Sequence, residues 1–436
     1  MLMPMIAAAA QVTGTAAPPL FTRDERAAIV AYWNAPGRYS IGAPAAGPSG
    51  GPWQVRLTPE GSRWFWAYTR AVAGPGKPPP NLDIKAAAPD WEAWVQAKLE
   101  YDRALATLQA DLANRGIDID SPAAQTAALP PLPGPIPDAL LARVGNPPAF
   151  AAAVVPRRYR ILFDDGDLYA YTDNVPMRPR YAYYRWTSGV MDAGKPLRQM
   201  TDAELDPIFT GAGMSPSEAR AAKAVSRLEG GFEAVNTYDT GWVSIGFIQC
   251  ITAENGDGSL MDVLTEEKTD APSAYQNDFR RFGIDVSQAG ILTVVDPTTG
   301  AELSGNDAVR MVIEDKRLTA CFQRAGRRSL AFRAAQVKTA RKRYWPADDP
   351  FTAAAGQVVL KGSVKDIIRS EAGMATLFDR KVNRGSIAPF DEVVSGIVRD
   401  HRITTIAELQ RYERAIIAAL KYRVDFLTES SLSQPD

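Results

Sequence analysis

The sequence predicts an α+β protein that is mainly α. Three observations carry this. Two segments near the N-terminus and most of the chain after residue 205 place apolar residues at helical spacing. Two stretches, 157–174 and 232–249, instead alternate apolar and polar residues around turn-forming Asp and Gly. Hydrophobic residues make up 46% of the 436 positions and charged residues 23%, enough apolar material for a sizeable core. A chain of this length divides into two or three units. The composition shifts predict an Ala/Pro-rich helical region over 1–155, a small β-rich segment over 156–205 and a larger domain over 206–430.

In the first region, "TRDERAAIVAYW" predicts a helix with Thr22 as its N-cap. A second helix runs from Pro89 to Gly116, with Trp91, Trp94, Leu99, Leu105 and Leu108 roughly in phase and Gly116 as the stop. "GKPPPN" (76–81) and "LPPLPGPIP" (129–137) break the region. Five prolines in the latter nine residues favour a stiff extended connector over an SH3-type ligand. The opening "MLMPMIAAAAQVTGTAA" has the apolar run of a signal peptide but no preceding Lys or Arg, so it gives no secure leader. No run of about 18 apolar residues predicts a membrane span.

In the second segment, "RRYRILFDDGDLYAYTDN" predicts a hairpin turning at "DDGD". Asp164, Asp165 and Asp167 there read as turn residues, because their spacing departs from a calcium-binding EF-hand loop. "RYAYYRW" (180–186) predicts a Tyr-rich strand, with tyrosines either half-buried or exposed to stack on sugar rings.

Beyond residue 205, Ser215 and Glu218 form a capping box, and Pro216 suits the first helical turn. Ala221, Ala224, Val225 and Leu228 share one face. Gly230 and Gly231 end this helix and make Glu229 its last residue, next to the buried face. "FEAVN" and "WVSIGFIQ" predict two strands joined by "TYDTG", with Glu233 facing solvent. Helices follow in "GSLMDVLTEEK", "PSAYQNDFRRFG", the long stretch from Gly305 to Pro346, "GSVKDIIRSEAGMATLFDRKVNRG" and "TIAELQRYERAIIAALKYRVDFL".

The residue inventory narrows the chemistry. One histidine, His401, excludes His-rich metal sites and any Ser–His pair centred elsewhere. Two cysteines, Cys250 and Cys321, exclude a disulfide framework though not a single bridge, and read as buried apolar residues. Carboxylates remain as the acid–base groups of an enzyme that needs no cofactor and no metal. A helix-end Glu beside a hairpin Asp meets the demand of glycoside hydrolysis, which needs one carboxyl group to protonate the leaving oxygen and another to activate water or attack. Partial desolvation keeps Glu229 protonated, and a solvated Asp239 stays ionised.

The stretch "LEGGFEAVNTYDTGWVSIGFIQC" (228–250) resembles phage-type lysozymes of the lysozyme-like superfamily. The shared pattern is Glu229-Gly230, Tyr238, Asp239-Thr240, Gly241 and Ser244-Ile245-Gly246. The resemblance covers about 25 residues and implies a lysozyme-like domain. It implies Glu229 as general acid, Asp239 as the group that positions and activates water, and Ser244 in place of the family's Thr. The gap from Glu229 to Asp239 is one residue longer than in the family, and the gap from Asp239 to Ser244 one shorter. "GFIQ" is closer to the "GLMQ" of lytic transglycosylases, a branch that works with the Glu alone. Tyr238, Trp242 and Gln249 are candidate substrate-binding residues, with core packing as the alternative for both rings and a strand neighbour for Gln249.

The expectation is a muramidase acting on the bacterial cell wall, in the periplasm or outside the cell, and cleaving the β-1,4 bonds of peptidoglycan. A transglycosylase or chitosanase on the same fold is the first alternative. A non-catalytic wall-binding module of a phage tail or injection apparatus, attached through the N-terminal region, is the second. Ten Lys or Arg between 316 and 343 read as a solvated helical face, as a basic rim for peptidoglycan carboxylates, or as a nucleic-acid patch. The net charge of −1 supplies no global field for nucleic acid, and no nucleic-acid partner is expected. Glu371 reads as a helix-surface acid or a cleft residue, and Glu254 and Asp257 as turn residues or substitute carboxylates.

Overall fold

The computed structural model describes residues 18–42, 53–75, 82–118, 129–173 and 182–436. It is about 50% helical and 14% strand, an α+β protein that is mainly α. The "GKPPPN" segment, the "MLMPMIAAAAQVTGTAA" run and the start of "RYAYYRW" lie outside the described residues.

The predicted helices form where their caps place them. Arg23–Trp33 carries a capping box between Thr22 and Glu25. Pro89–Asn114 buries Val95, Leu99 and Leu112. "LPPLPGPIP" runs without regular structure along this helix, and its Gly134 carbonyl accepts from the Trp94 indole at 2.8 Å. A helix that the sequence reading passed over, Pro59–Ala73, packs Trp64, Phe65 and Tyr68 with Leu57, Val95, Leu99, Leu140 and Phe150 into one apolar cluster.

Residues 156–205 divide between two other clusters. The "DDGD" hairpin pairs Arg158–Leu162 with Leu168–Thr172, and Tyr39–Gly42 adds a third strand. Its inward residues Tyr159, Ile161, Tyr169 and Tyr171 join Ile29, Trp33 and the apolar faces of the helices over 259–335. Leu197 and Leu205 instead pack with Val225, Phe247 and the helices over 337–420. The part of "RYAYYRW" that is described, from Ala182, forms no strand. Its backbone is tied crosswise: the Tyr184 N–H donates to Ser62 Oγ, and the Arg185 and Trp186 N–H groups both donate to the Tyr238 carbonyl.

After the capped Pro216–Ser226 helix comes a four-stranded antiparallel sheet of very short strands. Their order is Met191–Asp192, Val235–Asn236, Ser244–Ile245, Cys250–Ile251. The two predicted strands are present in register, Asn236 opposite Ser244 and Val235 opposite Ile245, but each spans only two residues. The chain turns at Gly246 and folds back instead of running straight to Gln249.

One prediction on charge fails and another holds in part. Glu233 is not solvent-facing: it is 8% exposed, accepts from the Lys195 N–H at 2.9 Å and pairs with Arg327. Over 316–343, Arg327, Arg328, Arg341, Lys342 and Arg343 stay at the surface while Lys316, Arg317 and Arg324 are buried, and the surface cations are paired with acids. Arg324 and Arg328 reach Asp165 at 2.5 and 2.6 Å, Arg341 reaches Glu218 at 2.8 Å, and Lys338 reaches Asp270 at 2.5 Å. Asp165 of "DDGD" therefore docks the hairpin onto the Lys316–Arg328 helix through the Arg324 and Arg328 guanidinium groups. Among the described residues no helix is long and apolar enough to cross a membrane.

Candidate functional site

The helix that leads into the site ends at Ser226, so Glu229 lies in the turn beyond it rather than in its last position. The Glu229 N–H still donates to the Ser226 carbonyl at 3.0 Å, which curls the turn and keeps the side chain near the helix end. Gly231 is required by close approach: a Cβ there would collide with the Lys195 carbonyl. The Glu229 side chain is 16% exposed, and Arg423 donates to its Oε1 at 2.5 Å. Arg423 is held from behind by Asp379, a residue 1% exposed in the Glu371–Arg384 helix. Burial pushes the Glu229 carboxyl above the ordinary range, with Arg423 working against the rise.

Asp239 sits in the turn between Val235–Asn236 and Ser244–Ile245. Its Oδ1 accepts from the Gly241 N–H at 2.9 Å and its Oδ2 from the Asn236 amide at 2.7 Å. The expectation of a solvated, freely ionised Asp239 is not met. The side chain is half-buried, and desolvation outweighs those two hydrogen bonds and the nearby Arg185 charge, so its pKa is raised too. Ser244 is 4% exposed. It lies beside Asp239 across Gly241, where a Cβ would run into the Ser244 Oγ and stand 3.2 Å from Asp239 Oδ1. Only a glycine leaves room for both oxygens at this point.

The structure thus brings Asp239, Gly241 and Ser244 into one small volume and sets Glu229 in a separate ion pair. Glu229 and Asp239 make no hydrogen bond to each other. Tyr238 and Trp242 are 7% and 5% exposed and belong to the packing of the hairpin, which leaves little of either ring for a ligand. Trp186 packs on Trp242 with centroids 5.2 Å apart, and the Arg185 guanidinium lies 4.6 Å from the Trp242 centroid. Gln249 donates its Nε2 to the Gly246 carbonyl at 2.9 Å, a local bond that fixes the turn. Three of the four non-glycine residues with left-handed φ among the described residues are Trp242, Gln249 and Ala253, so backbone strain concentrates here.

The other acids fall elsewhere. Glu371 is not a helix-surface residue. It is 4% exposed, paired with Arg220 at 2.6 Å, and accepts from the Ser433 N–H. Glu254 and Asp257 are exposed in a turn. Cys250 and Cys321 are buried free thiols, and His401 stacks on Tyr412. A cavity of about 590 Å³ opens between Arg369, Gln410, Arg411 and Gln434, away from Glu229.

Sequence reasoning missed Arg423, Asp379, Asn236 and Arg185. Asn236 was the most accessible, since an Asx residue three positions before Asp239 is a natural partner for it. Arg423 is 194 residues from Glu229, and nothing in "LKYRVDFL" marks it. Comparison with family models, with curated proteins and with solved structures finds no match for the chain.

Proposed function

We propose that the chain is a lysozyme-like glycoside hydrolase that cleaves the β-1,4 bonds of peptidoglycan. The observation that carries this reading is the desolvated acid at the helix end. Glu229 is nearly covered, its pKa is raised, and it is followed by a strained hairpin that crowds Asp239 and Ser244 around Gly241. A carboxyl group with a raised pKa holds a proton nearer to neutral pH and can deliver it to a glycosidic oxygen. Asp239 and the Ser244 hydroxyl supply an acceptor and a hydroxyl on one small volume, suited to holding the attacking water. In this reading Arg423 sets the orientation of Glu229 and swings aside, or shares the carboxylate, when sugar enters.

One observation favours a second reading, a wall-binding module without activity. The Glu229 carboxylate is already engaged by Arg423, which is itself anchored by Asp379. Digestion of purified peptidoglycan by the wild-type chain and by Glu229→Gln decides between them. The hydrolase reading expects reducing-end muropeptides from wild type and a loss of about 10²–10⁴-fold in rate for the variant. Anhydro products assign the chain to lytic transglycosylases, and no release by either protein supports the binding module.

A further inference from the structure

We infer that the segment 183–186, with Trp66, forms a glycan-stacking platform that extends from the Asp239 hairpin onto the N-terminal region. This rests on the proposed action on peptidoglycan and names a second contact surface for the same polymer.

The segment bridges two parts of the molecule. On one side the Tyr184 N–H donates to Ser62 Oγ at 2.8 Å, and Arg56 donates to the Thr187 carbonyl at 2.8 Å. On the other side the Arg185 and Trp186 N–H groups donate to the Tyr238 carbonyl at 2.7 and 3.0 Å. The backbone is thus anchored on both sides, which fixes the rings that the segment carries. Tyr184 is buried against Tyr238, whereas Tyr183 is 43% exposed and packs on half-buried Trp66 at 5.1 Å. Trp186 is half-buried on Trp242, which serves as its floor.

The chemistry of this surface suits a neutral polyhydroxylated chain. Guanidinium groups lie over two of its rings, Arg70 over Trp66 at 5.6 Å and Arg310 over Trp186 at 5.9 Å, and Arg185 lies over the Trp242 floor at 4.6 Å. Sugar rings offer an apolar face to an aromatic ring and hydroxyl or amide oxygens to the donors around it. Arg185 lies within electrostatic reach of Asp239 and places one end of the platform at the hairpin turn.

The test uses the full chain carrying Glu229→Gln, so that binding is read without cleavage, titrated with the soluble hexamer of N-acetylglucosamine. Saturable binding is expected. Trp66→Ala and Tyr183→Ala should each weaken it about five- to tenfold, while Tyr183→Phe and Trp66→Phe retain it. Affinities unchanged by the alanine variants, or no binding of the hexamer, overturn the platform. The two ideas fail separately. Wall digestion by the wild-type chain without platform-dependent binding removes only the platform. Platform-dependent binding without digestion by the wild-type chain removes only the hydrolase.

Discussion

Glu229 and Glu267 are both acids that burial pushes towards the protonated form, but the surroundings that decide how far differ. Glu229 keeps 16% of its side chain exposed and has Arg423 against it, so its rise is opposed by a cation. Glu267, in the Ser259–Asp270 helix, is 1% exposed, and its Oε2 meets no nitrogen or hydroxyl donor among the described residues. Its neighbours are the Ser329 hydroxyl at 3.4 Å and the Asp278 carboxyl, and desolvation with Asp278 pushes its pKa up to about 9. Its chain neighbour Glu266 goes the other way: despite partial burial, hydrogen bonds from Lys342 and Lys338 hold it below the ordinary range. Burial alone thus does not identify a working acid. Glu267 has no access to a substrate, whereas Glu229 combines a raised pKa with an edge that remains open.

The largest effect is expected where no cation compensates. Glu267 binds its proton more tightly in the folded chain than in the unfolded one. Its contribution is therefore complete below pH 4.5 and is lost as pH rises towards 9, by about 1.4 kcal/mol per pH unit. Glu267→Gln removes the titration. The variant should match wild type near pH 4 and exceed it by about 3 kcal/mol at pH 7. Urea unfolding across that range checks this, and parallel wild-type and variant profiles would show that Glu267 is ionised in the fold.

The next effect concerns the other acid. Arg423→Met leaves Asp379, 1% exposed, without its cation and removes the group that opposes the rise at Glu229. A buried partner left alone costs about 3–5 kcal/mol, and because Arg423 is 30% exposed a loss of about 2 kcal/mol is expected. In activity the sign is opposite. With the Glu229 pKa moved higher, the basic limb of the pH–rate profile should shift to higher pH, while Arg423→Lys leaves it nearer to wild type. A basic limb that stays in place would separate Arg423 from the protonation of Glu229.

The contrast also explains what was legible in the sequence. Caps and glycine stops are local, so Thr22, Ser215 and the "DDGD" turn gave their elements directly. The triplet Asp239, Gly241, Ser244 was legible because it lies within one turn and its flanking strands. The partners of Glu229 and Glu233 come from distant helices, and no local pattern encodes such ion pairs. The basic run over 316–343 showed its charge but not its direction, since the matching acids are scattered over Asp165, Glu218, Asp262 and Glu266. The hairpin Pro350–Ala355 with Val358–Ser363 went unread for another reason. Its inward side bears Phe351 and Ala353, and alanine weakens a period-two signal.

The smallest change tests whether the hairpin acts through geometry rather than charge. Gly241→Ala adds one methyl group between the Asp239 carboxylate and the Ser244 hydroxyl, where a Cβ overlaps the latter. No charge is altered, and neither Glu229 nor Glu267 is touched. Overpacking of this kind costs about 1–3 kcal/mol, and the exposed Thr240 beside it lets the turn relax, so about 1 kcal/mol is expected. If Asp239 and Ser244 hold a water for attack, hydrolysis should fall at least tenfold while the basic limb of the pH–rate profile stays where Glu229 sets it. Equal hydrolysis by Gly241→Ala and wild type would mean that the two oxygens do not act together. Cleavage would then rest on Glu229 alone, as in a transglycosylase.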